Sequence, residues 1–221
     1  FLKYADRDSA GSANPLRLGD RGPEKVYCFG RSQTGRAIRD FVYQGFNADS
    51  QQRRVFDAAF CHVAGAGRIC FNHRWSQPVR LASYQHEDRY SYSDRFPFAY
   101  ATTEDHLSGQ EDGLLKRPGS DPLWFHTQSS GEMWHRHGSL VHTDTRGNDL
   151  GQVDNVRIYL WASSQHLPRR VGDNLVTDYS QHPINDLIAT TPLFRALLDH
   201  LDQWATDGTL PPPSCVPLRS N

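Results

Sequence analysis

Four short apolar runs are spaced along the chain, and each ends at small or polar turn-forming residues. "EKVYCFG", Glu24 to Gly30, is apolar and aromatic and is closed by a glycine. "RRVFDAAFCHVAGAG", Arg53 to Gly67, has Val55 to Val63 as its body and ends in a small-residue turn. "DPLWFHTQSSGE", Asp121 to Glu132, and "NVRIYLWASSQH", Asn155 to His166, complete the set. Runs of this length and composition predict strands. They are continuous rather than alternating, which predicts burial on both faces and a mainly parallel sheet.

The period changes immediately after Gly30. Ile38, Phe41, Val42, Gly45 and Phe46 recur at steps of three and four and predict one face of a helix, with Arg36, Arg39, Asp40 and Gln44 on its other faces. Near the end, "TTPLFRALLDHLDQWATDG" predicts a second helix. Thr191 is the expected N-cap, Pro192 the first helical residue and Gly208 the left-handed C-cap. Leu193, Phe194, Leu197, Leu198, Leu201 and Trp204 form its apolar stripe. Strands alternating with helices or long excursions predict one α/β domain over residues 1–221, a sheet covered on both faces.

Residues 68–120 break this rhythm. A stretch so long without a clear period is usually functional or disordered, and its Tyr84, Tyr90, Tyr92, Phe96, Phe98 and Tyr100 argue for order. It is expected to be a lid-like insertion, its aromatics pinning the segment to the sheet and able to wall an apolar pocket.

Composition narrows the function. A net charge of -1 gives no reason to expect nucleic acid or an anionic membrane as partner. No apolar stretch approaches the length that crosses a bilayer. Cys28, Cys61, Cys70 and Cys215 contain no CxxC pair, so zinc ribbons and thioredoxin-like motifs are unsupported. Cys28 and Cys61 lie in strand-like runs and read as buried free thiols. A Cys70–Cys215 bridge is open to an oxidising compartment. The opening "FLKYADRDSAGSANPL" reads like the tail of a helix entering a loop, and suggests the later part of a longer protein.

The corner at "FGRSQTG" carries the chemistry. A serine sits where the first strand turns sharply into a helix, the setting of a nucleophile elbow. The strict G-x-S-x-G pattern is not met: Gly30 precedes Ser32, but Thr34 and then Gly35 follow. The N–H of Gln33, at the helix start, is the expected oxyanion donor. Ser32 as a simple helix N-cap is the competing reading. A serine nucleophile also needs a base and an orienting acid, in chain order serine, acid, histidine for this arrangement. The third strand delivers Glu132 and the fourth His166, both on the edge of the sheet where Ser32 lies and where ligands bind in open α/β sheets. Asp144 and Asp154, between the same strands, are fallback acids.

The stretches "FGRSQTGRAIRDFVYQGFN", "HVAGAGR", "FNHRWSQP", "HTQSSGEMWHRHGSLVHTD" and "VRIYLWASSQH" carry a resemblance. The chain resembles the α/β-hydrolase superfamily, and within it a group of bacterial α/β-hydrolase domain-containing proteins. The ending "WATDGTLPPPS" is similar to that of secreted esterases of the superfamily. The resemblance implies Ser32 as nucleophile, Glu132 as acid and His166 as base of a serine hydrolase acting on a small-molecule carboxylic ester, without a cofactor. Related hydrolases are often exported, so a secreted or periplasmic location is consistent with it. Superfamily members carry several strands ahead of the nucleophile strand, and one loop there supplies the second oxyanion N–H. There is no room for them before Lys25, so the sheet is expected to lack its early strands, and a non-catalytic partial domain is one alternative.

Three further features invite other chemistry. His135, His137 and His142 could hold a metal if the H-x-H pair lay on a strand, which gives a metal-dependent hydrolase as the other alternative. Structural histidines are the simpler reading. "HVAGAGR" could bind an anion through backbone N–H groups, but it lacks the nucleotide-loop signatures and reads better as a tight turn. Arg31, beside the serine, could meet an acidic substrate, face solvent or make a structural pairing, and the last is expected.

Overall fold

The computed structural model describes residues 3–69, 95–166 and 190–219. Its centre is a four-stranded, wholly parallel sheet: β1 (Tyr27–Arg31), β2 (Ala58–His62), β5 (Leu123–Ser129) and β6 (Val156–Trp161), in that order. Helix α1 (Gln33–Tyr43) follows β1, α2 (Ser130–His135) follows β5, and α3 (Thr191–Asp207) comes last. Two short strands, β3 (Thr103–Glu104) and β4 (Glu111–Asp112), form a separate antiparallel pair. Among the described residues β1 is an edge strand. The far edge, β6, is met by the C-terminal tail, where the Leu160 N–H donates to the Cys215 carbonyl at 2.9 Å and the Cys215 N–H to that of Ile158 at 2.9 Å.

All four strands run the same way and their ends are in register. Arg31 lies beside His62, His62 beside Thr127 and Thr127 beside Tyr159. The chain segments leaving β1, β2, β5 and β6 therefore emerge along one edge of the sheet, which is what brings distant residues together there.

The sheet is buried on both faces, as the continuous apolar runs predict. On one face Ala59, Cys61, Trp124, Val156 and Ile158 pack with Val42 of α1 and with Tyr100 and Leu114. On the other, Phe60, Phe125, Tyr159 and Trp161 pack against Leu197, Leu201 and Trp204 of α3. Fully burying a large apolar side chain is worth about 1.5–3 kcal/mol, so each layer contributes far more than any local propensity. Leu193 and Leu198, at the margin of the expected α3 stripe, stay 38% and 47% exposed. Gly208 closes α3 at φ 74°, as expected, but the helix begins at Thr191 itself, after Thr190.

Two other departures have clear causes. β2 is shorter than the apolar run that contains it. The residue before β2, Asp57, accepts through its carboxylate from Lys3 and from the Val26 N–H at 2.8 Å each, so a side chain replaces a carbonyl as the partner of the Val26 N–H where the regular ladder begins. Arg39, placed on a polar face of α1 by pattern, is fully buried. Its guanidinium donates to the carbonyls of Gly67 (3.2 Å), Ala66 (2.9 Å) and Phe98 (2.5 Å) and lies over the Tyr100 ring. A buried charge is tolerated when its donors are used in this way.

Of the expected lid-like region, residues 68–69 and 95–120 are described. Residues 95–120 carry β3 and β4 and insert Tyr100 and Leu114 into the core. Tyr84, Tyr90, Tyr92 and Cys70 lie outside the described residues, and with them the expected Cys70–Cys215 bridge. No helix among the described residues is long and apolar enough to cross a membrane.

Candidate active site

Ser32 occupies a backbone corner that a side chain resists. Its φ and ψ are 52° and -117°. A non-glycine residue in this region carries strain of about 1–3 kcal/mol, which the surrounding structure must hold. Three contacts hold it. The Ser32 N–H donates to the His62 carbonyl at 2.8 Å, fixing the corner to the end of β2. Thr34 Oγ1 accepts from the Arg31 N–H at 2.8 Å and donates to the Arg31 carbonyl at 2.8 Å. Gly30 and Gly35 then allow strand and helix to meet: a Cβ on Gly30 would lie 2.6 Å from the Thr34 carbonyl oxygen, and one on Gly35 3.0 Å from the Ala64 side chain.

These contacts explain the departure from G-x-S-x-G. The close approach falls on Gly35, one residue later than the pattern places it, and Thr34 spends its side chain locking the turn. They also bear on the competing reading of Ser32. Its side chain makes no capping hydrogen bond to α1, so the hydroxyl is not employed as a cap. Helix α1 has no acidic residue in its first turn, so its positive end and the N–H of Gln33, which has no intrahelical acceptor, are directed at this corner unneutralised.

Glu132 and His166 meet. Glu132 is 1% exposed and its Oε1 accepts from His166 Nδ1. The other oxygen, Oε2, accepts from the Ser129 hydroxyl and, at 3.0 Å, from the Ser129 N–H. Ser129 in turn accepts from the Gly131 N–H at 3.2 Å. This is a capping box: Ser129 caps α2 and Glu132 returns from the third helical position. Burial pushes the Glu132 carboxyl up, but the hydrogen bonds from His166 and Ser129 outweigh it and hold the group below its ordinary value. An ionised Glu132 is an acceptor only, so the Nδ1 of His166 carries a proton in this contact and Nε2 is left outside it. No hydrogen bond joins Ser32 Oγ to His166 among the described residues. Such contacts are often loose before substrate binds.

The elbow and the histidine segment are joined elsewhere: Arg31 Nη2 donates to the His166 carbonyl at 2.8 Å. Beneath them His62 is 2% exposed, bonded through Nδ1 to Thr127 Oγ1 at 2.8 Å and packed between Trp161 and Phe194. Its pKa is pushed down to about 3, first by burial and then by the charge of Arg31, so it stays neutral.

The other candidates separate from this site. Asp144 spends its carboxylate within its own turn, accepting from Asn148 N and Nδ2 at 2.8 Å each. Asp154 precedes β6, at the opposite end of the strand from His166. The three histidines of the expected metal cluster share no strand: His135 ends α2, His137 takes a left-handed link at φ 50°, and His142 follows a 3₁₀ helix. His135 and His137 are exposed and His142 is buried. The described residues contain no group of three or more metal-ligating side chains. "HVAGAGR" is buried from His62 to Arg68, and its Ala66 N–H is taken by the Arg136 carbonyl at 3.0 Å, which fits the turn reading. A cleft of about 1340 Å³ runs beside α1, lined by Phe29, Thr34, Ile38, Phe41 and Phe96 among others, but by none of Ser32, Glu132 and His166.

Sequence reasoning missed Ser129, His62 and the locking role of Thr34. Only the first had a readable signal, the S-x-x-E spacing from Ser129 to Glu132 ahead of an apolar methionine. Comparison with known proteins agrees with the architecture. No curated protein and no solved structure matches the chain. A family model described as an alpha/beta hydrolase domain matches residues 3–221. A parallel sheet with a serine on its first strand-to-helix corner, matched over nearly the whole chain by that model, places this protein in the alpha/beta hydrolase family as a hydrolase.

Proposed function

We propose that this hydrolase cleaves carboxylic esters through Ser32, His166 and Glu132. The observation that carries the reading is the backbone of Ser32, held at φ 52° with a hydroxyl that caps nothing. Strain of this kind persists where it serves a site.

In the reaction, Ser32 Oγ attacks the ester carbonyl while its proton passes to His166 Nε2. Glu132 keeps the imidazole oriented and stabilises the charge it gains. The oxyanion accepts from the Gln33 N–H and feels the positive end of α1. Collapse of the tetrahedral species breaks the bond to the alkoxide, which takes the proton from His166 and leaves as an alcohol. Water, deprotonated by the same histidine, then attacks the acyl-serine and releases the acid. Every proton moved is returned, and no cofactor enters.

The test is covalent labelling with a fluorophosphonate probe followed by peptide mass spectrometry. Label on the peptide carrying Ser32, lost in both S32A and H166A, is expected. A folded protein that takes no label at Ser32, or an S32A variant that hydrolyses esters at the original rate, overturns the reading.

A further inference from the structure

Arg31 is the least employed of the arginines that enter the described core. Arg39 spends its guanidinium on three carbonyls and the Tyr100 ring. Arg68 pairs with Asp40 at 3.5 Å, donates to the Phe96 carbonyl and lies over the Tyr43 ring. Arg157 donates to the carbonyls of Asp154 and Val156 and lies over Trp204. Arg31 makes one side-chain hydrogen bond among the described residues, to the His166 carbonyl at 2.8 Å, and lies over no ring there; its Nε is buried without a hydrogen-bond partner, as are Arg39 Nη1 and Arg157 Nε. Among the described residues no carboxylate lies within ion-pair distance of it.

Among the described residues the surroundings supply no counter-charge. Glu132 is committed to His166 and Ser129. Of the two histidines beside it, His166 is bonded to Glu132 and His62 is buried and bonded to Thr127. On α3, Asp202 is engaged by the Tyr27 hydroxyl at 2.6 Å, at the far end of β1. A half-buried cation without an anion is costly, and a single bond to a carbonyl is a task that a neutral donor could fill. Arginine's planar fork is suited to a carboxylate taken by two parallel hydrogen bonds.

We infer that Arg31 forms an anion subsite: the substrate is an ester that also bears a carboxylate, received by the guanidinium beside the ester bound at Ser32. The inference rests on the serine-hydrolase reading and names its substrate class. The bond to the His166 carbonyl sets where the guanidinium stands, beside the histidine and one residue before the serine. The carboxylate is then a second anchor that orients the ester carbonyl, and its benefit appears in kcat/KM for the charged ester against a neutral one of the same shape.

The experiment compares ethyl hydrogen succinate with ethyl succinamate, in which an amide replaces the carboxylate. The wild-type protein is expected to favour the charged ester by about tenfold to a hundredfold, the scale of a charge-assisted hydrogen-bonded pair. R31Q is expected to abolish that ratio, and R31K to keep part of it. The ratio is independent of any common loss of activity caused by freeing the His166 carbonyl. No preference in the wild type, or an unchanged ratio in R31Q, overturns the inference and leaves the hydrolase reading standing. Calorimetry with succinate alone supplies the independent arm. Binding to the wild type that is lost in R31Q supports the subsite even if neither ester is cleaved, in which case the carboxylic-ester reading alone fails. No succinate binding to a wild type that cleaves neither ester overturns the inference as well.

Discussion

Two serines in this molecule stand at the same local address and do opposite things. Ser32 follows β1 and precedes α1; Ser129 ends β5 and precedes α2. Ser129 has extended backbone angles of φ -91° and ψ 170°, and its hydroxyl and N–H close a full capping box with Glu132. Ser32 has φ 52°, and its hydroxyl caps nothing. The residue type and the strand-to-helix setting are shared, so neither decides the role. The backbone does. A relaxed serine turns its oxygen back onto the helix, where it contributes stability. The strained one makes no bond back onto its helix, which under the proposed reading leaves it available to react.

The widest separation between the two comes from truncating each. S32A is expected to lower kcat by about four to six powers of ten, the scale of losing a nucleophile that acts as part of a unit, while unfolding at an undiminished temperature. S129A is expected to do the reverse in kind. It removes a cap worth about 0.5–2 kcal/mol and frees one oxygen of buried Glu132, so the melting temperature falls while activity drops far less than in S32A. Thermal melts and ester hydrolysis on both variants check the pair. Equal losses of activity would erase the distinction.

Glu132 belongs to both devices, which makes its substitution the next most informative. E132Q keeps the shape but removes the charge that fixes the tautomer of His166, and kcat is expected to fall by about three to four powers of ten. It also weakens the capping box, so stability should fall with it, unlike in S32A. The pH dependence has a sign. The folded Glu132 pKa lies below its ordinary value, so its contribution to stability is fully present above the ordinary carboxylate range and is lost as pH falls through the depressed folded value. Acid melts of wild type and E132Q should therefore converge at low pH.

The sequence made the residue types of this site legible and left their support hidden, for a physical reason. Ser32, Glu132 and His166 could be named as candidates because continuous apolar runs imply parallel strands, and parallel strands in register deliver their following residues to one edge; of these, the structure joins Glu132 to His166. Gln33 could be named as a candidate donor because a helix start exposes its first N–H groups. Thr34 and Gly35 could not, because their role depends on angles that no local pattern encodes; the shift of the close approach to Gly35 is visible only beside Ala64. Arg39 and His62 were missed for a related reason. Pattern assigns charged and titratable residues to solvent, whereas here three carbonyls and a threonine hydroxyl make their burial tolerable. The metal reading of the histidines failed at the level of period: the stretch from Ser130 to Val141 is helical and turned rather than extended.

His62 carries the comparison into titration. It binds the Ser32 N–H through its carbonyl and the β5 side through its ring. Its folded pKa of about 3 is depressed from 6.5, so the unfolded chain takes up the proton first. Stability from this group is fully present above pH 6.5, is lost as pH falls toward 3, and has a slope approaching 1.4 kcal/mol per pH unit between. Buried His126 and His142, also held below their ordinary values, add to the same slope. H62Q should lower stability at neutral pH and flatten the decline between pH 6.5 and 4, measured by denaturant unfolding at each pH. A slope unchanged by H62Q would remove His62 from the account.

The smallest effect tests the idea on which the contrast stands. If Ser32 is strained because it carries a Cβ at φ 52° and ψ -117°, glycine should relieve the strain. Relief of about 1–3 kcal/mol, set against a loss of roughly 0.5–1 kcal/mol from the greater freedom of glycine in the unfolded chain, leaves S32G more stable than S32A by about 1 kcal/mol. For a chain of this length that is a rise of about 2–4 °C in melting temperature. At Ser129, where φ is -91°, the same replacement has no strain to release and removes a hydroxyl bonded to Glu132, so S129G should be less stable than wild type. Opposite signs for one substitution at two serines would show that the backbone separates their roles. A destabilised S32G would mean that the corner at Ser32 is not strained, and its freedom to react would then need another cause.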